Sequence, residues 1–218
     1  AIEQLIADGL NINVTLMFSM ADYEAVARAY VNGLERCADP SKVASVASFF
    51  VSRVDTAVDK ELEKNGSPEA GALLGKIAVA NSKVVYRRFM EIFQGEGFAA
   101  PRQRGARVQR PLWASTGTKN PAYSDVLYVE NLIGPETVNT LPPDTINAFR
   151  DHGKIPGPLV KQGFDEADAR LAALSTLGID LGAITAKLQV DGVAAFSASF
   201  DQLMAALEKK RQAMAGVP

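Results

Sequence analysis

Apolar and polar positions along this chain repeat with two different periods. Residues 10–18 (LNINVTLMF), 43–51 (VASVASFFV), 110–115 (RPLWAS) and 137–141 (TVNTL) are short β-prone runs bounded by glycine, proline or polar residues. Such runs read as strands that bury at least one face. Between them the period becomes helical. Over 20–37, Tyr23, Val26, Ala27, Tyr30, Val31 and Leu34 fall on one face until Asp39-Pro40 breaks the pattern. The run at 43–51 ends in Ser52-Arg53, a helix follows from Val54 to Lys64, and 65–68 reads as a turn. A long helix is predicted over 70–93, with Leu74, Ile77, Val84, Val85 and Phe89 along its stripe.

The remaining segments are shorter. Residues 1–9 read as the end of an amphipathic helix closed by Gly9. Arg102, Arg104, Arg107 and Arg110 lie in a stretch that reads as a solvated basic loop, and 116–125 is a polar turn with helix-start chemistry. Residues 126–134 predict a short helix or turn, 144–151 a short helix, 164–177 a helix, and 191–214 a final helix.

Strands alternating with helices predict an α/β fold with a parallel sheet. The four strand–helix units are half of a (β/α)8 TIM barrel, a fold of about 250 residues. A doubly wound open sheet is the alternative. Neither GxGxxG nor GxxxxGK[ST] occurs, so two common nucleotide-binding signatures are missing.

Composition narrows the function classes. At 47% hydrophobic, 22% charged and a net charge of −2, nothing favours nucleic acid or an acidic membrane surface as a partner. Apolar runs of about nine residues are too short to span a bilayer. The one cysteine, Cys37, excludes an internal disulfide; with no signal peptide, a cytoplasmic location is expected. The one histidine, His152, lies in a polar stretch, so a Ser-His-Asp triad or a histidine-rich metal site lacks its parts.

Candidate chemistry gathers at the carboxyl ends of the strands, where α/β folds place ligands. Asn13 and Thr15 share a strand face; Ser48 and Arg53 accompany the second strand, Ser115 and Lys119 the third. Arginine and lysine beyond neighbouring strands, beside hydroxyls, suit an anionic sugar phosphate. Blander readings remain open. Asn13, Thr15 and Ser48 can fill polar layers of a barrel interior, Arg53 can pair with Asp55, and Lys119 can be an exposed turn lysine.

Four segments together, NVTLMFS at 13–19, VASFFVSRVDT at 46–56, RPLWASTGTKNPAYSD at 110–125 and TVNTLPPDT at 137–145, resemble transaldolase in its longer bacterial subtype. The resemblance covers nearly the whole chain, in order. It implies a TIM barrel of the class I aldolase kind that needs no metal or organic cofactor. The implied reaction, in the pentose phosphate pathway, transfers a dihydroxyacetone unit from sedoheptulose 7-phosphate to glyceraldehyde 3-phosphate. By motif, Thr15 is expected to position the catalytic water and Asn13 to bind substrate hydroxyls. Arg53, with Ser48, is expected to hold the phosphate, assisted by Lys119, where the family commonly has arginine. Phe50 is expected to shape the pocket and Ser115 to line its mouth.

In that family the lysine that forms a Schiff base with the ketose lies on the fourth strand, ahead of the helix that ends as AIEQLIADG. The chain is therefore expected to be the carboxyl-terminal portion of one barrel domain. It would cover strands five to eight, with extra helices from about 164, and need the amino-terminal half as partner. Alone it is expected to be inactive. The alternative is a non-catalytic sugar-phosphate-binding fragment. Monomers and homodimers both occur in the family.

Overall fold

A computed structural model describes residues 1–215 of the chain. α1 (Ile2–Ala7) leads into β1 (Ile12–Met17) and α2 (Met20–Arg36); β2 (Ser45–Phe50) is followed by α3 (Ser52–Asn65), α4 (Pro68–Gly71), α5 (Ile77–Gln94) and α6 (Ala99–Gln103). β3 (Arg110–Ala114) precedes α7 (Leu127–Leu132), and β4 (Val138–Asn139) precedes α8 (Pro143–His152), α9 (Phe164–Thr176) and α10 (Leu181–Ala215). The strands form one parallel sheet in the order β1-β2-β3-β4. The chain thus has the expected α/β architecture, with each strand beside the next in sequence.

Alternation along the strands separates two faces. Ala47, Phe49 and Trp113 point into the helical layer and are at most 1% exposed. The Trp113 ring packs edge-on against Phe49 at a centroid distance of 6.3 Å, and its indole N–H donates to the Leu132 carbonyl at 3.0 Å. Buried rings on α2 and α5 (Tyr30, Phe89 and Phe93), with Phe98, continue this core. On the other face, Asn13 and Thr15 are exposed and Val46 is half-buried.

Several boundaries differ from the sequence expectation. The helix after β2 begins at Ser52, so Arg53 belongs to its first turn and not to the strand end. The long helix over 70–93 is two helices parted at 72–76, where Gly75 has a φ of 68°. The four arginines of the basic stretch are exposed, as expected, but two of them also hold helix ends. Arg104 donates to the carbonyls of Leu34, Glu35 and Cys37 at the carboxyl end of α2, and Arg102 donates to the Phe93 carbonyl. These contacts satisfy helix-end carbonyls that have no partner within the helix. The final helix starts ten residues earlier, at Leu181 instead of Asp191. Among the described residues no single helix is long and apolar enough to cross a membrane.

Candidate active site

The carboxyl ends of β1 and β3 each hold a residue in the left-handed region. Leu16 has a φ of 60° within a bulge between Val14 and Met17, and Ser115 has a φ of 56°. Non-glycine residues are strained there, and such strain clusters at ligand sites. The chain keeps pairing beyond the strands. Val51 N donates to the Ala114 carbonyl at 2.9 Å and Ser52 N to the Ser115 carbonyl at 3.0 Å. The hydroxyls of Ser52 and Ser115 lie 2.9 Å apart. No side chain caps α3, so the partial positive charge of its amino end faces the space these residues enclose.

That space is a cavity of about 650 Å³ lined by Ser52, Arg53, Thr56 and Lys60 of α3 and by Ser115 and Lys119 after β3. Its third wall is α10, through Ile184, Lys187, Leu188 and Asp191. Close passage of α10 is possible because Gly192 lies against Leu16, where a Cβ would fall 3.0 Å from the leucine Cδ2. Lys187 is held by Asp191 at 2.8 Å, which leaves Arg53, Lys60 and Lys119 as cations facing the opening.

Arg53 stands over the Phe50 ring at 5.0 Å from its centroid, a cation–π contact that aims the guanidinium without neutralising it. It does not pair with Asp55. That carboxylate accepts Ala78 N at 2.7 Å and the Tyr128 hydroxyl at 2.9 Å. Burial outweighs these hydrogen bonds and pushes the Asp55 carboxyl up to about 6.

The sequence-derived residues therefore divide. Arg53, Ser115 and Lys119 meet in one cavity, with Phe50 beneath Arg53. Ser48 is not among them; buried, it donates to Asn13 Oδ1 at 2.7 Å. Asn13 itself borders a second cavity, of about 810 Å³, at the amino ends of the strands, with Arg102, Arg107, Arg110 and Glu136. Thr15 lies on the exposed sheet face, in neither cavity.

Sequence reasoning missed Ser52, Lys60 and the α10 wall. Ser52 stands beside the arginine where Ser48 had been expected. Lys60 follows Arg53 by seven residues, two helical turns on one face, and that spacing was available as a signal. Among the described residues there is no group of three or more His, Cys, Asp or Glu side chains that could hold a metal ion. Lys83 is the lysine whose ammonium is destabilised, by burial and the nearby Arg170, but it donates to the Gln162 carbonyl in the helical layer, not in either cavity.

Residues 1–207 match the family described as Transaldolase/Fructose-6-phosphate aldolase. The chain belongs to that family. It is 52% identical over 209 residues to the transaldolase of Thiobacillus denitrificans, an alignment covering 94% of this chain and 58% of that protein. It is 46% identical over 220 residues to the transaldolase of Mycobacterium ulcerans, covering 99% and 59%, and 47% identical over 211 residues to transaldolase 1 of Streptomyces avermitilis, covering 95% and 56%. The chain thus spans a little under three-fifths of the length of these relatives. The four segments that resemble the family fall on β1, on β2 with the start of α3, on β3 with its following loop, and on β4 with the start of α8.

Proposed function

We propose that this chain is the carboxyl-terminal part of a transaldolase, strands five to eight of a (β/α)8 barrel. The complete protein would act in cytoplasmic carbohydrate metabolism, moving a dihydroxyacetone unit from sedoheptulose 7-phosphate to glyceraldehyde 3-phosphate. The observation that carries the reading is the convergence of Arg53, Lys119, Ser52 and Ser115 on one cavity beyond adjacent parallel strands. Arg53 can grip a phosphoryl group with two parallel N–H donors, Lys119 adds a point charge, and whichever serine accepts in the Ser52–Ser115 pair can donate its own hydroxyl to the ligand.

Chemistry in this reading needs a lysine from the preceding half of the barrel. Its amine attacks the ketose carbonyl and, with loss of water, forms an iminium. A base takes the proton of the hydroxyl beside the scissile bond, the carbon–carbon pair flows into that iminium and the aldose leaves; the enamine then attacks the acceptor aldehyde, whose oxygen takes the proton back. This chain's share is to anchor both phosphorylated partners, while Asn13 holds substrate hydroxyls and Thr15 orients the water that releases product. Three observations support an amino-terminal half as the missing partner. Both outer strands, β1 and β4, have one neighbour each. Asn13 and Thr15 look outward. Along α10, Val193, Phe196, Phe200, Leu203 and Leu207 are exposed at the 3–4 spacing of a packing seam.

Borohydride trapping with a ketose phosphate, followed by peptide mapping, tests the proposal on this chain and on the full-length protein that carries it. An adduct is expected only on the full-length protein, at a lysine preceding Ala1. An adduct on a lysine of the 218-residue chain itself would overturn the assignment of the nucleophile. No adduct on either would leave a sugar-phosphate-binding protein without transaldolase chemistry.

A further inference from the structure

Two buried carboxylates lie behind the phosphate cavity and take no part in the chemistry above. Asp55 and Asp59 are one turn apart on α3 and almost inaccessible. Each accepts one backbone N–H from the α4–α5 region and one phenol from the segment after β3. Asp55 takes Ala78 N at 2.7 Å and Tyr128 Oη at 2.9 Å. Asp59 takes Gly75 N at 3.1 Å and Tyr123 Oη at 2.8 Å.

The placement links the two cations of the site. Arg53 and Asp59 are on the same helix; Lys119 and Tyr123 are in the same connection between β3 and α7. The Tyr123 ring closes directly onto Gly75, where a Cβ would fall 2.8 Å from its Cζ, and the φ of 68° there also demands glycine. Fastening a connection to a helix needs no buried carboxylates, since apolar packing does it without desolvating charge. What two directional hydrogen bonds per carboxylate add is a fixed distance and angle.

We infer that Asp59 and Tyr123 are positioning residues that hold the Lys119 segment at a set distance from Arg53, so that ammonium and guanidinium meet one phosphoryl group. Asp55 and Tyr128 fasten the far end of the same segment. The inference rests on the sugar-phosphate reading of the cavity.

The test is a double-mutant cycle on the full-length protein, with inorganic phosphate as the titrated ligand and KM and kcat for a ketose phosphate measured alongside. Tyr123→Phe keeps the ring against Gly75 and removes only the hydroxyl. It is expected to weaken phosphate binding and raise KM in parallel by about three- to ten-fold, with a smaller change in kcat. In a Lys119→Ala background the same change is expected to have almost no further effect. Equal losses in both backgrounds, or no loss in either, would overturn the inference. Asp59→Asn gives a second route to the same cycle if Tyr123→Phe folds poorly. Arg53→Ala separates the two failures: if it leaves phosphate affinity unchanged, the reading of the cavity itself falls. If Arg53→Ala weakens binding while the cycle shows no coupling, only the positioning role falls.

Discussion

The two faces of the sheet are finished to different degrees. On one, Ala47, Phe49 and Trp113 are sealed beneath α2, α5 and α7. On the other, Asn13 and Thr15 stand in the open. Both faces come from the same alternation along the same strands; helices seal one, while the other buries Ser48, Phe50, Leu112 and Ala114 toward β2 and β3 but leaves the β1 positions Asn13 and Thr15 exposed. The helices differ in the same way. α5 buries residues on several sides, whereas Phe196 and Phe200 of α10 are 52% and 62% exposed. Stability in this chain therefore comes from the helical face, and the groups suited to chemistry lie on the open face and along its rim. Substitutions on the two faces should separate folding from function.

The largest separation is expected between Trp113→Ala and Thr15→Val. Removing the indole empties a site that is 1% exposed, breaks the bond to Leu132 and strips Phe49 of its edge-on partner. A loss of about 3–5 kcal/mol in urea unfolding is expected. Thr15→Val, on the exposed face, is expected to change stability by less than about 0.5 kcal/mol. Comparable losses would mean that the open face already contributes to the core of this chain.

The same contrast explains what the sequence could disclose. Apolar runs such as SVASFF on β2 and the helical stripe of α2 are local signals, and both were readable, with the parallel order that follows from their alternation. Three features depended on contacts between distant segments. Arg104 looks like one more charge in a basic stretch until α2 ends beside it. Gly75 interrupts a stripe that Leu74 and Ile77 otherwise continue, and its turn is needed by Tyr123 and Asp59, far away in the sequence. Gly192 gives no sign in the sequence of a long-range role, yet inside α10 it is where the helix passes against Leu16. In the site, Arg53, Ser115 and Lys119 were legible as polar residues after strands. Ser48 lies on β2 and donates to Asn13, outside that cavity, whereas Ser52, one step from Arg53, lines it.

The sealed side also carries a titratable group. Asp55 lies on the sealed side, and its carboxyl is pushed up to about 6, chiefly by burial, against about 3.9 in an unfolded chain. Between those values the folded chain holds more protons than the unfolded one, so stability falls as pH rises through the window. The contribution is fully present below pH 4 and lost above pH 6, and it amounts to about 3 kcal/mol at most. Asp55→Asn is expected to flatten this part of the profile in urea titrations from pH 4 to 7. An unchanged slope would show that Ala78 N and Tyr128 hold the ionised carboxylate as well as water does.

The smallest effect is expected from Lys119→Arg, because it changes the grip and not the charge. An ammonium meets a phosphoryl group as a point charge, whereas a guanidinium can present two parallel N–H donors. Lys119 extends from a segment fixed at Tyr123 and Tyr128, so a longer, planar head has to fit a distance set for a shorter one. If the cavity, at about 650 Å³, leaves room to adjust, KM for a ketose phosphate should fall about two- to five-fold with unchanged unfolding temperature. A rise in KM instead would locate the limit in the spacing between Arg53 and the loop. The cations at the rim would then be matched to that spacing as tightly as Trp113 is matched to the sealed face.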